Sequence, residues 1–218
     1  MYSIRGEEFL NLEKIIEKIR AQLDELDKYR EKAIKLSRAT VRLCGESIRA
    51  VHTRNYNKAI DKNNSAMEKL EELKMLAKNA PDFLNPYLTI AFQEYVESNV
   101  LLNLIQKNEF PSPDELQVPY VPYLLGLGDV IGELRRFALD ALRFNKIEVM
   151  QRMLSLMEKI YSELLFFDYP KAITPGLRRK TDIARSLVEK TRGDAATAVQ
   201  QEKLLAELLK LKRTSEEQ

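Results

Sequence analysis

The sequence predicts an all-α protein, and three observations lead to that prediction. Only 7 Gly and 8 Pro occur in 218 residues, so signals that interrupt secondary structure are few. Leu, Glu, Lys, Ala and Arg dominate, and runs of β-branched residues are scarce. Apolar residues recur at steps of three and four, which is the period of an amphipathic helix. We therefore expect a bundle of about six or seven long helices.

The first helix is predicted to span residues 5–53, as one very long helix or two nearly continuous ones. Apolar side chains recur at helical spacing along this segment, and it contains no Pro. Gly45 is the only Gly in its interior. A pattern of this length is typical of a helix that packs, as in a coiled coil, against another helix or another subunit.

Three arginines form a basic stripe on the second half of this helix. Arg38, Arg42 and Arg49 fall within about 40° of one another at helical spacing. Such a stripe could follow the phosphates of a nucleic acid. An ordinary solvated face is the alternative that stays open. His52, the single histidine, flanks the stripe and is predicted to be a surface or phosphate-contact residue rather than a catalytic base.

Several of the remaining helices are separated by breaks that contain proline or glycine. They are predicted over residues 55–79, 81–108, 120–145, 146–167 and 181–211. Three prolines between Glu109 and Pro119 predict a loop, and Gly193 is a point at which the last helix could break. No domain boundary is visible, so residues 1–218 are expected to form one domain, with residues 212–218 as a frayed tail.

Composition excludes several classes of protein. The 35 Lys and Arg nearly balance the 33 Asp and Glu, so the net charge of +2 alone indicates no partner. The single cysteine, Cys44, excludes an internal disulfide and is expected in the core. No signal peptide and no membrane-spanning stretch is visible, which favours a cytoplasmic protein. Zinc-ligand spacing, a phosphate-binding loop and a Ser-His-Asp pattern are also missing.

Two apolar stretches each carry two acids and no bases. The acids are Glu94 and Glu97 in the third helix and Asp129 and Glu133 in the fourth. Their spacings of three and four residues put each pair on one helix face. A carboxylate buried there is costly unless it is paired, protonated or bound to a cation. The four side chains are therefore the first candidates for a functional site.

Packing of the two helices against each other would bring the four carboxylates together. A carboxylate cluster without histidine suits Mg²⁺ or Mn²⁺ rather than Zn²⁺. Such a site could lower the pKa of a bound water and stabilise charge on a phosphodiester. The open alternative is a structural ion network, in which arginines such as Arg135 or Arg136 pair with the acids.

Three segments resemble the translin/TRAX family. They are FQEYVES, LQVPYVPYLLGLGDVIGELRR and YPKAITPGLRRKTDIARSLVEKTRGD, and the resemblance is strongest between Phe92 and Asp194. It implies an all-helical fold whose subunits assemble through long helices into a closed, hollow homo-oligomer, with an octamer as one candidate. It also implies the binding of single-stranded RNA inside that shell, with single-stranded DNA as a second candidate ligand.

The TRAX branch of this family implies a Mg²⁺-dependent endoribonuclease. The QEYVE motif supplies Glu94 and Glu97, and LLGLGD supplies Asp129, where translin-type chains have an apolar residue. This chain therefore resembles the TRAX branch in its catalytic residues. Glu133 matches a Glu of both branches and is a weaker candidate as a metal ligand.

The predicted RNA-contact residues have two origins. Arg38 and Arg192 lie in matching motifs, whereas Arg42 and Arg49 are inferred from the helix face. FLNPYLTI stands where translin has a His/Arg-rich run. The simplified chain suggests a prokaryote-like version that assembles without a separate translin partner. A non-catalytic binder of single-stranded RNA or DNA, and a purely structural helical adaptor, remain alternatives.

Overall fold

The computed structural model describes residues 7–78 and 81–216, whose regular structure consists of seven α-helices and no strand. The helices are α1 (Glu7–His52), α2 (Tyr56–Ala77), α3 (Pro81–Lys107), α4 (Pro113–Leu116), α5 (Tyr120–Arg143), α6 (Ile147–Leu164) and α7 (Leu177–Glu216). For these residues, the all-α prediction of six or seven helices is confirmed.

The helices form two groups of three that meet mainly where α3 packs against α5. Helices α1, α2 and α3 pack against one another, as do α5, α6 and α7. The contact between α3 and α5 joins the two groups. These are the two apolar helices that carry the isolated acids, and each is buried because it has neighbours in both groups.

Helix α1 is a single helix of 46 residues, as predicted. In its second half, Ala33, Leu36, Cys44 and Ile48 are buried, and the helix packs against α2 and α3. The core placement of Cys44 is confirmed, and burial raises the pKa of its thiol to about 12. The chain then reverses at Arg54, which has a φ of 59°.

Glycine permits the close approach of α5 to α3. A Cβ atom at Gly126 would lie 2.7 Å from Val96 Cβ and 2.8 Å from the Gln93 carbonyl oxygen, so no larger residue fits without movement of the helices. At Gly128 a Cβ atom would lie 3.2 Å from Lys180 Cβ on α7. These two glycines therefore permit close packing of α5 against α3 and α7. The same does not hold for Gly132, where a Cβ atom would have no neighbour within 4 Å.

The segment predicted as a loop between α3 and α5 contains the one-turn helix α4, which corrects that prediction. Ser112 and Glu115 form a capping box: Ser112 Oγ accepts a hydrogen bond from Glu115 N, and the Glu115 carboxylate accepts one from Ser112 N. Pro113 occupies the first turn, where its missing N–H costs least. The S-P-D-E sequence is the local signal for this turn.

Helix α7 also differs from its prediction. It begins at Leu177, directly after Gly176 with its φ of 85°, and it continues through Gly193 without a break. A single interior Gly costs only about 1 kcal/mol, and packing on α5 and α6 offsets that cost. The helix extends to Glu216, and residues 217 and 218 lie outside the described ranges. Fraying of residues 212–218 and the single-domain organisation stay predictions.

Both long helices end in apolar side chains that no described residue covers. Residues 11–28 of α1 are exposed throughout, and so are residues 201–209 of α7. The exposed apolar residues of these two segments are Leu12, Ile15, Ile16, Ile19, Leu23, Leu26, Leu204, Leu205, Leu208 and Leu209. Across residues 7–78 and 81–216, no helix is both long and apolar enough to span a membrane.

Candidate active site

The four acids meet at the contact between α3 and α5, where we call them the acid cluster. Glu94 and Glu97 lie on α3, and Asp129 and Glu133 lie on α5. The charges of Asp129 and Glu133 act on both α3 carboxyls and oppose their ionisation. The four side chains therefore lie close enough to influence one another across the helix contact, and their role as metal ligands stays a prediction.

Glu94 and Glu97 have no polar partner among the residues of the described ranges. Burial raises the pKa of Glu97 to about 9, and the charges of Asp129, Glu94 and Glu133 contribute to the rise. The pKa of Glu94 is also raised, first by burial and then by Asp129. In this arrangement Glu97 is neutral near pH 7, and repulsion among the carboxylates opposes a second or third negative charge.

Asp129 is held from two sides. Gln93 Nε2 donates a hydrogen bond of 2.5 Å to Asp129 Oδ2, and Lys180 Nζ on α7 forms a salt bridge with Asp129 Oδ1. The sequence reasoning missed both partners. Gln93 is adjacent to Glu94 in the QEYVE motif, whereas Lys180 lies 51 residues beyond Asp129 and no local signal connects the two.

Glu133 is held by His52. The imidazole Nε2 lies 2.5 Å from Glu133 Oε2, and its ring stacks on Phe137 with the ring centroids 4.2 Å apart. The His52 side chain is only 7% exposed. The prediction of a surface or phosphate-contact histidine is therefore wrong, because Glu133 and Phe137, one turn apart on α5, provide a buried acceptor and a stacking surface.

Arginine pairing of the acids is largely excluded in this arrangement. Arg135 forms a salt bridge of 3.0 Å with Asp194, and Arg136 reaches only Glu133, at 3.9 Å. The structural alternative considered from the sequence therefore does not apply to Glu94, Glu97 or Asp129. A lysine and a histidine hold two members of the cluster instead.

The basic stripe lies on the exposed face of α1. Arg38, Arg42 and Arg49 are exposed, and none has a side-chain hydrogen bond or ion pair with a described residue. Arg49 precedes His52, the partner of Glu133, by one turn of α1. The fourth predicted RNA contact, Arg192, is exposed but forms a salt bridge of 2.6 Å with Glu158. The nucleic-acid role of all four arginines stays a prediction.

The donor chemistry of the cluster fits a hard divalent cation. Carboxylate oxygens are the ligands that Mg²⁺ and Mn²⁺ prefer, and two of the four carboxyls have no polar partner in the part of the chain that the structure describes. In the observed rotamers, however, no three Asp, Glu, His or Cys side chains of residues 7–78 and 81–216 are gathered as ligands. Lys180 and His52 hold the other two acids, so coordination by three carboxylates requires side chains to move.

Comparison with known proteins gives consistent matches over most of the chain. An uncharacterised protein of Methanocaldococcus jannaschii is 40% identical over 180 residues, which cover 82% of this chain and 80% of the relative. AfC3PO in complex with duplex RNA matches with a TM-score of 0.76 at 34% identity, over 84% of this chain and 95% of that one. Apo-NeC3PO matches with a TM-score of 0.71 at 25% identity, over 83% of this chain and 96% of that one.

A family model covers the same region of the sequence. The model of the translin family matches residues 6–192, a range that includes the acid cluster, the basic stripe and the turn of α7 that carries Lys180. The resemblance found in the motifs is thus confirmed over most of the chain, by sequence and by fold. The chain belongs to the translin family.

Proposed function

We propose that this protein is a divalent-metal-dependent endoribonuclease that cleaves RNA inside a homo-oligomeric shell. One observation carries the proposal: acids from two packed helices lie close enough to influence one another, and two of them have no counter-charge bonded to them among residues 7–78 and 81–216. A structural ion network would pair such groups, because an unpaired buried carboxylate is destabilising. The reducing conditions expected for a protein with one buried thiol suit an activity in the cytoplasm.

Glu94, Glu97 and Asp129 would hold Mg²⁺ or Mn²⁺, and Glu133 is the weaker fourth ligand because His52 already engages it. When bound, the cation would lower the pKa of an attacking water and stabilise charge on the scissile phosphate. The half-buried position of the acids strengthens these interactions relative to water.

RNA is the substrate class that the comparisons support. AfC3PO, a relative at 34% identity, is known as a complex with duplex RNA. The guanidinium groups of the basic stripe are not bonded to any residue that the structure describes, so they would be available for phosphates. We propose single-stranded RNA as the substrate that is cleaved, with the stripe and Arg192 as contacts, and we expect duplex RNA and single-stranded DNA to bind more than they are cleaved.

Assembly would use the exposed apolar ends of the long helices. The stripes on residues 11–28 of α1 and 201–209 of α7 recur at helical spacing, as expected of helices that pack against helices of another subunit. A closed oligomer, with an octamer as one candidate, would place the acid clusters of its subunits around an internal space.

The test compares Glu94→Gln and Asp129→Asn with Glu148→Gln, which alters an exposed acid on α6. We expect the first two variants to lose at least a hundredfold in cleavage of single-stranded RNA while they still assemble and bind RNA, and Glu148→Gln to behave as the unaltered protein. Chelation should abolish cleavage, and Mg²⁺ or Mn²⁺ should restore it. Undiminished cleavage by Asp129→Asn would refute the assignment.

A second candidate function is favoured by the salt bridge between Lys180 and Asp129. If that pair is permanent, the protein is a non-catalytic binder of single-stranded RNA or DNA. Its affinity should then fall steeply with salt, as phosphate contacts require. A chelator should change neither the binding nor the integrity of the RNA, which distinguishes this function from the nuclease.

A further inference from the structure

We propose that Lys180 is a built-in counter-cation of the acid cluster, which occupies Asp129 until a divalent cation displaces it. The inference rests on the proposed metal site and adds a competing internal state to it. Lys180 Nζ contacts Asp129 Oδ1, and both side chains are about one-quarter exposed. The salt bridge is therefore shielded enough from water to be strong, and exposed enough for a cation from solvent to replace the ammonium group.

The fold positions the Lys180 side chain next to the acid cluster. Gly176, with a φ of 85°, ends the connection from α6 and lets α7 begin at Leu177, so Lys180 lies in the first turn of that helix. Its methylene groups lie on the α5 backbone at Gly128, where a Cβ atom would come within 3.2 Å of Lys180 Cβ. Because a side chain at position 128 would push the stem away, the glycine defines the path of the ammonium group to Asp129.

The charge of Lys180 compensates for the repulsion within the cluster. Asp129 and Glu133 raise the pKa values of Glu94 and Glu97, whereas Lys180 lowers both. In the metal-free protein the ammonium group thus supplies part of the positive charge that a metal ion would supply. A divalent cation that binds Asp129 meets this positive charge at the same carboxylate, and two cations so close repel each other. Metal binding is therefore an exchange, in which the ammonium leaves as the cation enters.

Direct metal titration tests this exchange without RNA. Lys180→Met removes the ammonium but keeps an aliphatic stem over Gly128, and Lys180→Gln is a second variant with a polar tip. Lys190→Met, at an exposed position on the same helix, is the matched control. We expect both Lys180 variants to bind Mn²⁺ roughly tenfold more tightly in calorimetry, because removal of a competing state raises the competent fraction. The control should bind Mn²⁺ as the unaltered protein does.

Thermal unfolding gives a second readout. In chelator the Lys180 variants should have a lower Tm than the unaltered protein, and Mn²⁺ should raise their Tm by more than it raises that of the unaltered protein. A merely structural lysine would lower the Tm equally with and without metal, which would overturn the proposal. Unchanged or weaker Mn²⁺ affinity in the Lys180 variants would also overturn it.

The Asp129→Asn background separates exchange at Asp129 from a general charge effect. There, Lys180→Met should change the Tm in chelator and the Mn²⁺ affinity much less than it does in the unaltered protein, because only its weaker influence on Glu94 and Glu97 remains. Effects of undiminished size in this background would refute competition at Asp129. The exchange could be observed while neither the unaltered protein nor any variant cleaves RNA. In that case the nuclease proposal is refuted and the role of Lys180 as counter-cation still holds.

Discussion

At the scale of single residues, each acid of the cluster has a different environment. Glu97 is half-buried with no bonded partner among the described residues, Asp129 accepts from an amide and an ammonium, and Glu133 pairs with an imidazole. These environments differ in hydrogen bonding and in nearby charge, which are two of the causes that shift a pKa. A cation would find Asp129 already occupied by an ammonium, whereas burial and the neighbouring acids favour the protonated form of Glu97.

The burial of Glu97 predicts a pH dependence of stability. Its pKa is about 9 in the folded chain against an ordinary value of 4.5, so the folded state binds the proton more tightly than the unfolded state. The stability linked to this group is complete below pH 4.5 and is lost as the pH rises towards 9. In the presence of chelator, the free energy of unfolding should fall less steeply with rising pH in Glu97→Gln than in the unaltered protein. Within that window the two slopes should differ by up to about 1.4 kcal/mol per pH unit.

Urea unfolding across that range of pH measures this slope. Glu148→Gln, at an exposed site, should leave the slope as it is in the unaltered protein. Parallel pH profiles for Glu97→Gln and the unaltered protein would show that Glu97 does not retain its proton.

The pair of His52 and Glu133 predicts an energetic coupling. His52→Phe keeps a ring that can stack on Phe137 but leaves Glu133 without its partner, which should cost about 1–3 kcal/mol of stability. In a double-mutant cycle with Glu133→Gln, the two changes should be coupled by about 1–2 kcal/mol. Urea unfolding in chelator measures the cycle, and simple additivity would mean that the contact contributes nothing.

At the scale of elements, the α3–α5 contact positions the site. Helix α3 supplies Glu94 and Glu97 from a turn beside Val96, and α5 approaches that turn because Gly126 has no side chain. The separation of the carboxylate pairs is thus set by backbone contact rather than by loops. Rigid helices hold catalytic side chains more reproducibly than loops do.

This element predicts opposite effects for two glycine substitutions on the same helix. Gly126→Ala places a methyl group against Val96 and the Gln93 carbonyl, and we expect a loss of about 1–3 kcal/mol in stability together with weaker Mn²⁺ binding. Gly132→Ala meets no atom within 4 Å and should gain up to about 1 kcal/mol from helix propensity. Thermal unfolding and Mn²⁺ titration measure both, and equal effects would contradict the close-approach argument.

At the scale of the whole molecule, two three-helix groups share one core, and their long helices extend beyond it. Apolar side chains on these extensions are costly in water, because their burial on association is favourable. Under the proposed function, the fold would separate two tasks: the α3–α5 junction would carry the chemistry, and the exposed ends of α1 and α7 would serve assembly.

The α1 extension predicts a loss of assembly without loss of folding. The double variant Ile15→Glu and Ile19→Glu adds charge to the apolar stripe, and we expect sedimentation to show smaller species with unchanged helical content. Lys14→Glu, on the opposite face of the same helix, should assemble normally. An unaltered oligomer in the double variant would exclude this stripe as an interface.

The sequence by itself determined the all-α class, the extent of α1 and the identity of the four acids. These features are local: helical periodicity and the isolation of charges in apolar segments can be read within a few turns. The same local reasoning placed Cys44 in the core, because it shares the apolar face of α1 with Ile48 and Val51. It passed over the S-P-D-E cap that forms α4.

Only the tertiary structure decided which side chain pairs with which acid. Lys180 and His52 lie 51 and 81 residues from their partners, and arginines closer in sequence, such as Arg135, turn towards other groups. Salt bridges form between side chains that packing brings within a few ångströms, and that distance depends on helix crossings such as the one at Gly126. Spacing along one helix specifies a face, whereas the partner opposite that face is specified by the fold.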